Sequence, residues 1–371
     1  MNTAREPLFH IVKRDGVPFP KALAIRTVAV LLSLVACAGV IFALTGMNPL
    51  EVYSAYLSGA VGTNRRLWMT IRDSATLLLI ALAITPAFKM RFWNIGAEGQ
   101  VLVGGLATAA VMIYGGGAMP TWLLFTLMAV CSMLAGMVWG LIPAAFKARY
   151  NTNETLFTLM LNYVGMQLVT FSIVFWENPA GSNTVGVIHQ ATEYGWFPDL
   201  FGQKYGLNVL IVLSITVLMF VYLRYSKHGY EIAVVGESEN TARYAGINVG
   251  KIILRTMALS GALCGLAGFI IVSGCSHTIS TSTAGGRGFT AIIVSWLSKF
   301  NPFTMILVSF FLVFMEKGAI QIASQFNLNE NASDVLTGII LFFILGCEFF
   351  INYEVSLRRH GRKEIKGWAR S

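Results

Sequence analysis

Residues 120–145 and 155–176 contain no Asp, Glu, Lys or Arg, and each stretch is long enough to cross a bilayer as a helix. A spanning helix needs about 20 mostly apolar residues, fewer where it is broken inside protein. Eight further segments fit the pattern: 24–45, 71–88, 96–114, 207–224, 253–273, 286–299, 302–323 and 332–352. The segment 286–299 is too short to span alone. Charged residues make up 12% of the 371-residue chain and apolar residues 55%, against roughly 25% charged in a soluble domain. That density cannot cover a soluble surface of this size, and disorder needs a far less apolar chain. The pattern predicts an all-α integral membrane protein with about ten transmembrane helices.

The net charge is +9, from 27 basic and 18 acidic residues. Basic residues collect in loops on the cytoplasmic face of a membrane protein, so the charge does not call for a nucleic-acid partner. With both termini cytoplasmic, 21 of the 27 Lys and Arg residues fall on the inside. Losing one helix would invert every loop after it, so the bias also supports the span count. The expected organisation is a basic cytoplasmic segment over 1–23, a transmembrane domain over 24–352 and a basic cytoplasmic tail over 353–371. The first span has no small-residue cleavage site after it and reads as a retained helix. Two loops exceed what connection requires, an outer one at 177–206 and a cytoplasmic one at 225–252. Ten spans divide into two sets of five running in opposite directions, an inverted two-fold repeat with broken helices. Each half has a glycine-rich break before its third span, at Asn94–Gly99 and at Gly285–Gly288.

Within Phe92–Gln100, Asn94, Glu98 and Gln100 sit among two glycines where a span opens. A carboxylate inside a membrane segment costs several kcal/mol unless paired or hydrated. One reading is a broken helix offering free N–H groups to a polar solute. The other is a tight helix crossing with Glu98 satisfied by backbone donors. Asn162 lies two turns inside an apolar helix that opens at Thr155, with Glu154 at its positive end. Its amide needs partners, either a neighbouring backbone carbonyl or a neutral solute. In the cytoplasmic loop, Glu237–Tyr244 has helix-forming residues, and Gly246 suits the position just past a helix end. A short helix outside the membrane, exposing Tyr244 and Ile247, fits a docking element; the alternative is a solvated connection.

Gly136/Gly140, Gly261/Gly265 and Gly268 have the spacing of helix packing. The five Cys residues lie in or just past apolar runs, show no metal spacing and read as small buried side chains. Gly250-Lys251 is followed by Ile252, without the upstream glycine spacing of a phosphate-cradling loop. No catalytic constellation, metal set or dinucleotide fingerprint stands in a credible context.

FWNIGAEGQ at 92–100, NETLFTLMLNYV at 153–164, ARYAGI at 242–247 and GGRGFTAIIVSWLSKFNPF at 285–303 follow the order found in a known family. The chain resembles the permeases of bacterial ABC importers, in the branch that handles nucleosides and simple sugars. That branch is related to the branched-chain amino-acid and ribose permeases. The resemblance covers roughly residues 25–350. It implies a multi-pass permease of the bacterial inner or plasma membrane, embedded in lipid and paired with a second, homologous permease. It implies a cytoplasmic ABC ATPase docked around Glu237, Asn240, Arg243, Tyr244, Gly246 and Ile247. It further implies an extracytoplasmic solute-binding protein at the outer face, including loop 177–206. By position, Asn94, Glu98, Gln100, Asn162 and Phe289 would line or shape the pathway. The chain would bind no cofactor or metal and have no catalytic residues, ATP and Mg being used by the ATPase. Relatives carry an aromatic residue and an acid where this chain has Arg287 and Thr290.

A nucleoside is neutral, with an aromatic base and a hydroxyl-rich sugar, and amides with Phe and Tyr suit it; a simple sugar such as ribose is the alternative. A self-sufficient secondary transporter would need ion-coupling acids at mid-membrane, for which Glu98 and Glu316 are the candidates. A membrane enzyme lacks a catalytic set.

Overall fold

The computed structural model describes residues 9–14, 18–46, 48–200, 202–325 and 330–357. The basic stretches 1–8 and 358–371 lie outside the described residues. In chain order the elements are β1 (Phe9–Lys13), α1 (Phe19–Thr45), α2 (Pro49–Val61), α3 (Asn64–Lys89), α4 (Ala97–Gly115) and α5 (Thr121–Tyr150). They continue with α6 (Glu154–Trp176), α7 (Gly206–Tyr225), α8 (Lys227–Glu237), α9 (Glu239–Tyr244) and α10 (Val249–Ile271). A π-helical turn over Val272–Ser276 extends α10, and α11 (Arg287–Leu297), α12 (Pro302–Gln325), α13 (Glu330–Asn352) and β2 (Tyr353–Leu357) complete the chain.

Among the described residues, nine helices are long and apolar enough to cross a membrane. The tenth expected span is α11, with 11 residues. At 1.5 Å per residue it is about 16 Å long, half a hydrocarbon core. Helix α2 has no counterpart in the expected spans; it is only 13 residues and carries Glu51 in its first turn.

The chain forms two compact units, residues 1–59 with 316–371, and residues 60–315. In the first, Ile25 and Ala29 of α1 pack against Cys347 and Ile351 of α13. Arg26 pairs with Glu348 at 2.7 Å. β1 and β2 pair antiparallel, Phe9 opposite Leu357 and Lys13 opposite Tyr353, a small addition to an otherwise helical fold.

In the second unit α4, α5 and α10 meet through their small residues. A Cβ on Gly136 would lie 2.3 Å from the Gly261 carbonyl oxygen, and one on Gly104 would lie 2.4 Å from Gly265 Cα. The glycine spacing therefore does what it predicted, letting backbones touch. The long loop after α6 folds back onto the π-helical turn. Trp196 stacks on His277 with ring centres 3.8 Å apart, and the Phe197 N–H donates to the Ser273 carbonyl at 3.1 Å. Asn208 of α7 donates to the Gly274 carbonyl at 3.0 Å. Cys37, Cys264 and Cys347 are buried as expected, whereas Cys131 and Cys275 are only half-buried; all five are free.

Candidate functional site

Helix α3 ends at Lys89, and residues 90–96 turn the chain into α4. The turn is held by side chains rather than by a regular ladder. Asn94 and Gln100 exchange amide hydrogen bonds, Asn94 Nδ2 to Gln100 Oε1 at 3.3 Å and Gln100 Nε2 to Asn94 Oδ1 at 3.2 Å. Asn94 also donates to Ser260 Oγ at 3.2 Å and accepts from the Gly96 N–H at 3.1 Å. Asn162 bridges across from α6: its Nδ2 donates to the Ile95 carbonyl at 2.9 Å and its Oδ1 accepts from the Gly99 N–H at 2.8 Å. Thr158, one turn before it, accepts from the Ile95 N–H at 3.2 Å. Asn162 is thus placed by an N-capped helix, since Asn153 Oδ1 accepts the Leu156 N–H at 3.2 Å. Glu154 joins the start of that helix to the end of α5 through Lys147 at 2.9 Å.

The two glycine-rich breaks meet. Glu98, at the start of α4, accepts the Gly286 N–H on one carboxylate oxygen at 2.7 Å and the Gly288 N–H on the other at 2.8 Å. It caps α11, whose own N-cap Gly286 has no side chain to do so. An anion at a helix N-terminus is favoured by both the free N–H groups and the dipole. The approach requires glycine at 288, where a Cβ would lie 2.6 Å from the Glu98 nitrogen.

Asn94, Glu98, Gln100 and Asn162 are all buried, and only Phe289 is exposed, at 41%. The structure favours the helix-crossing reading for the first four, whose polar atoms are turned to one another and to backbone. Phe289 alone of the five presents its side chain outward. The residue that sequence reading missed is Asp73, on α3. It is buried and pairs with Arg72 at 2.8 Å and with Arg287 at 3.3 Å. It belongs with Glu98 among the buried acids of this unit, and it supplies the partner that the unusual Arg287 needs. Its one sequence signal was an acid next to a base at the edge of an apolar run.

At the ends of α3, α5 and α10 lies a helical platform. Ile232 and Val235 of α8 and Ala242 of α9 share an apolar cluster with Ala87, Met90, Ala144, Ile253 and Met257. A Cβ on Gly236 would lie 2.1 Å from the Lys89 carbonyl oxygen, so α8 sits directly on the end of α3. The expected short helix over Glu237–Tyr244 is present as α9, over Glu239–Tyr244, and a second helix that was not expected, α8, precedes it and ends at Glu237. Ser238 is extended, and its hydroxyl accepts the Thr241 N–H at 3.2 Å, ending α8 at Glu237 and starting α9. Gly246 closes α9 as expected: at φ 75° its N–H donates to the Arg243 carbonyl, and the Ile247 N–H reaches the Ala242 carbonyl. This pair of bonds is a Schellman cap. Ile247 packs against the apolar cluster rather than standing exposed, a correction to the expectation, because its position after the cap turns it inward. Glu237, Asn240, Arg243, Tyr244 and Gly246 face outward, Tyr244 at 93% exposure.

Residues 67–345 match the family described as branched-chain amino acid transport system / permease component. The chain belongs to this family. The permease is 29% identical over 336 residues to the guanosine ABC transporter permease protein NupP of Bacillus subtilis, covering 87% of this chain and 92% of that one. It is 27% identical to the nucleoside ABC transporter permease protein NupB of Lactococcus lactis, covering 81% and 84%. A glucose ABC transporter permease protein of Haloferax volcanii is 25% identical, covering 91% of each chain. This chain is a multi-pass cell-membrane protein and a permease subunit of an ABC transporter, whose ATPase site lies on a separate chain.

Proposed function

We propose that this permease imports nucleosides, moving them along a pathway shaped by Asn94, Glu98, Gln100 and Asn162 and faced by Phe289. The observation that carries the reading is the likeness, over most of both chains, to permeases named for guanosine and for nucleosides. The site supports it: the polar groups near the break are hydrogen-bonded to one another and to backbone, and the outward-facing side chain is an aromatic ring. Such a wall suits a neutral solute with an aromatic base. A second permease subunit, a homologue, would complete the pathway. A solute-binding protein would deliver the nucleoside to the face that includes loop 177–206. An ATPase binding ATP and Mg would dock on Glu237, Asn240, Arg243 and Tyr244, with Gly246 and Ile247 fixing the end of α9.

The likeness to a glucose permease favours a sugar as the second reading. Uptake of labelled adenosine, guanosine, uridine, ribose and glucose into proteoliposomes, with ATPase and binding protein added or omitted, separates the two. Nucleoside uptake that requires every component supports the proposal. Uptake of sugars alone replaces the solute, and uptake by this chain alone along an ion gradient overturns the dependence on partners.

A further inference from the structure

Helix α11 starts with two consecutive glycines at positive φ, Gly285 at 60° and Gly286 at 73°. A Cβ at Gly286 would meet nothing within 4 Å. Gly286 therefore has open space beside it, and the first turn of α11 is held from elsewhere. Two carboxylates from two different helices do the holding. Glu98 of α4 takes the Gly286 and Gly288 N–H groups. Asp73 of α3 takes the Arg287 guanidinium at 3.3 Å.

The second contact differs in kind from the first. Asp73 already has a closer partner in Arg72, which reaches it with Nε at 2.9 Å and with a second guanidinium nitrogen at 2.8 Å. Arg72 is itself fixed, its guanidinium 4.8 Å from the centre of the Tyr205 ring. The Arg72–Asp73 pair is thus an anchor. If Arg287 leaves, Asp73 keeps Arg72, so that buried carboxylate is not orphaned. Arg287, with a side chain 22% exposed, retains access to water. Arg287–Asp73 can open at modest cost, whereas opening Arg72–Asp73 cannot be cheap.

We infer that Asp73 is a positioning residue for transport: acting through Arg287, it latches the first turn of α11, and release of that latch leaves the turn bearing Phe289 held by Glu98 alone and easier to move. The latch rests on family membership and is independent of which solute is carried.

The test uses the assembled transporter in proteoliposomes without nucleotide, carrying Phe289→Cys. The readout is the rate at which a membrane-impermeant maleimide labels position 289, resolved by mass spectrometry from the five native Cys residues. Arg287→Gln is expected to raise that rate about tenfold, while Arg287→Lys, which keeps the charge, stays within about twofold of the parent. Asp73→Asn should reproduce the rise, and the double variant Asp73→Asn with Arg287→Gln should add nothing to it. A parental rate in Arg287→Gln, or equal rises in the Gln and Lys variants, would overturn the latch. If Asp73→Asn does not assemble, the Gln and Lys pair at 287 decides the matter by itself, since both leave Asp73 with Arg72.

Discussion

The break at residues 90–99 and the platform at residues 227–249 use the same kinds of residue in opposite ways. At the break, Asn94, Gln100, Asn162 and Glu98 turn inward and bond to one another or to backbone. At the platform, Ile232, Val235 and Ala242 turn inward, and Glu237, Asn240, Arg243 and Tyr244 face out. The difference teaches where polarity means recognition in a membrane protein. Inside the bundle, a broken backbone leaves N–H and C=O groups that no water can satisfy, so nearby amides and carboxylates are used up in holding shape. Outside it, the apolar side is consumed by packing, and the polar side remains for a partner.

The comparison can be broken most sharply at Gly288. Alanine there would place a Cβ 2.6 Å from one backbone atom and 2.8 Å from a Glu98 oxygen. Overpacking of this kind costs about 3 kcal/mol, and thermal unfolding in detergent should show it as a markedly lower midpoint. An unchanged midpoint would mean that the two breaks do not meet as described. Asn162→Leu comes next. It strands the Gly99 N–H and the Ile95 carbonyl, a loss of about 2 kcal/mol. Faster hydrogen exchange at Gly99 and reduced uptake are expected from an assembled complex. Protection at Gly99 equal to the parent would remove Asn162 from its holding role.

At the platform the expected effects on stability are smaller. Tyr244→Ala should change stability by less than about 0.5 kcal/mol, as for an exposed surface residue, yet lower transport. A large drop in the unfolding midpoint would place Tyr244 in the packing after all. The smallest effect concerns pH. His228 of α8 contacts the Tyr222 hydroxyl, and Thr256 Oγ1 lies 3.3 Å from its other ring nitrogen. Burial lowers its pKa below the usual 6.5, against the raising influence of Glu231 and with that of Arg255. A histidine held below its unfolded pKa stabilises the fold above about 6.5 and loses that contribution as pH falls through 6.5 towards the folded value. Hydrogen-exchange protection factors over α8 and α9, taken relative to the intrinsic amide rate at each pH, should therefore fall between pH 7.5 and pH 5.5, and His228→Gln should flatten the dependence. Equal pH dependence in both proteins would remove His228 as its source.

Much of this arrangement was legible in the residues. Long uncharged runs gave α5 and α6, the short run at 286–299 gave the half-length α11, and Gly246 gave the end of α9. The order NIGAEGQ, MLNY, ARYAGI marked the break, its bridging amide and the platform. Three things were not legible, each for a physical reason. That Glu98 could be satisfied by backbone donors was one of the two readings, but not which: the N–H groups lie 188 and 190 positions away and carry no side-chain signature. Asp73 and Arg287 are joined only by the packing of α11 on α3. Ser238 divides the platform because its hydroxyl competes with the helix ladder, a choice that helix-forming neighbours conceal.

We propose a division of labour in which the platform's outward face transmits work while the break holds shape. The most direct measurement is the number of solute molecules taken up per ATP hydrolysed by the reconstituted transporter carrying Tyr244→Ala. The account predicts a clear fall in that ratio with an unfolding midpoint equal to the parent's. A parental ratio would contradict it, by showing that the outward-facing Tyr244 takes no part in coupling.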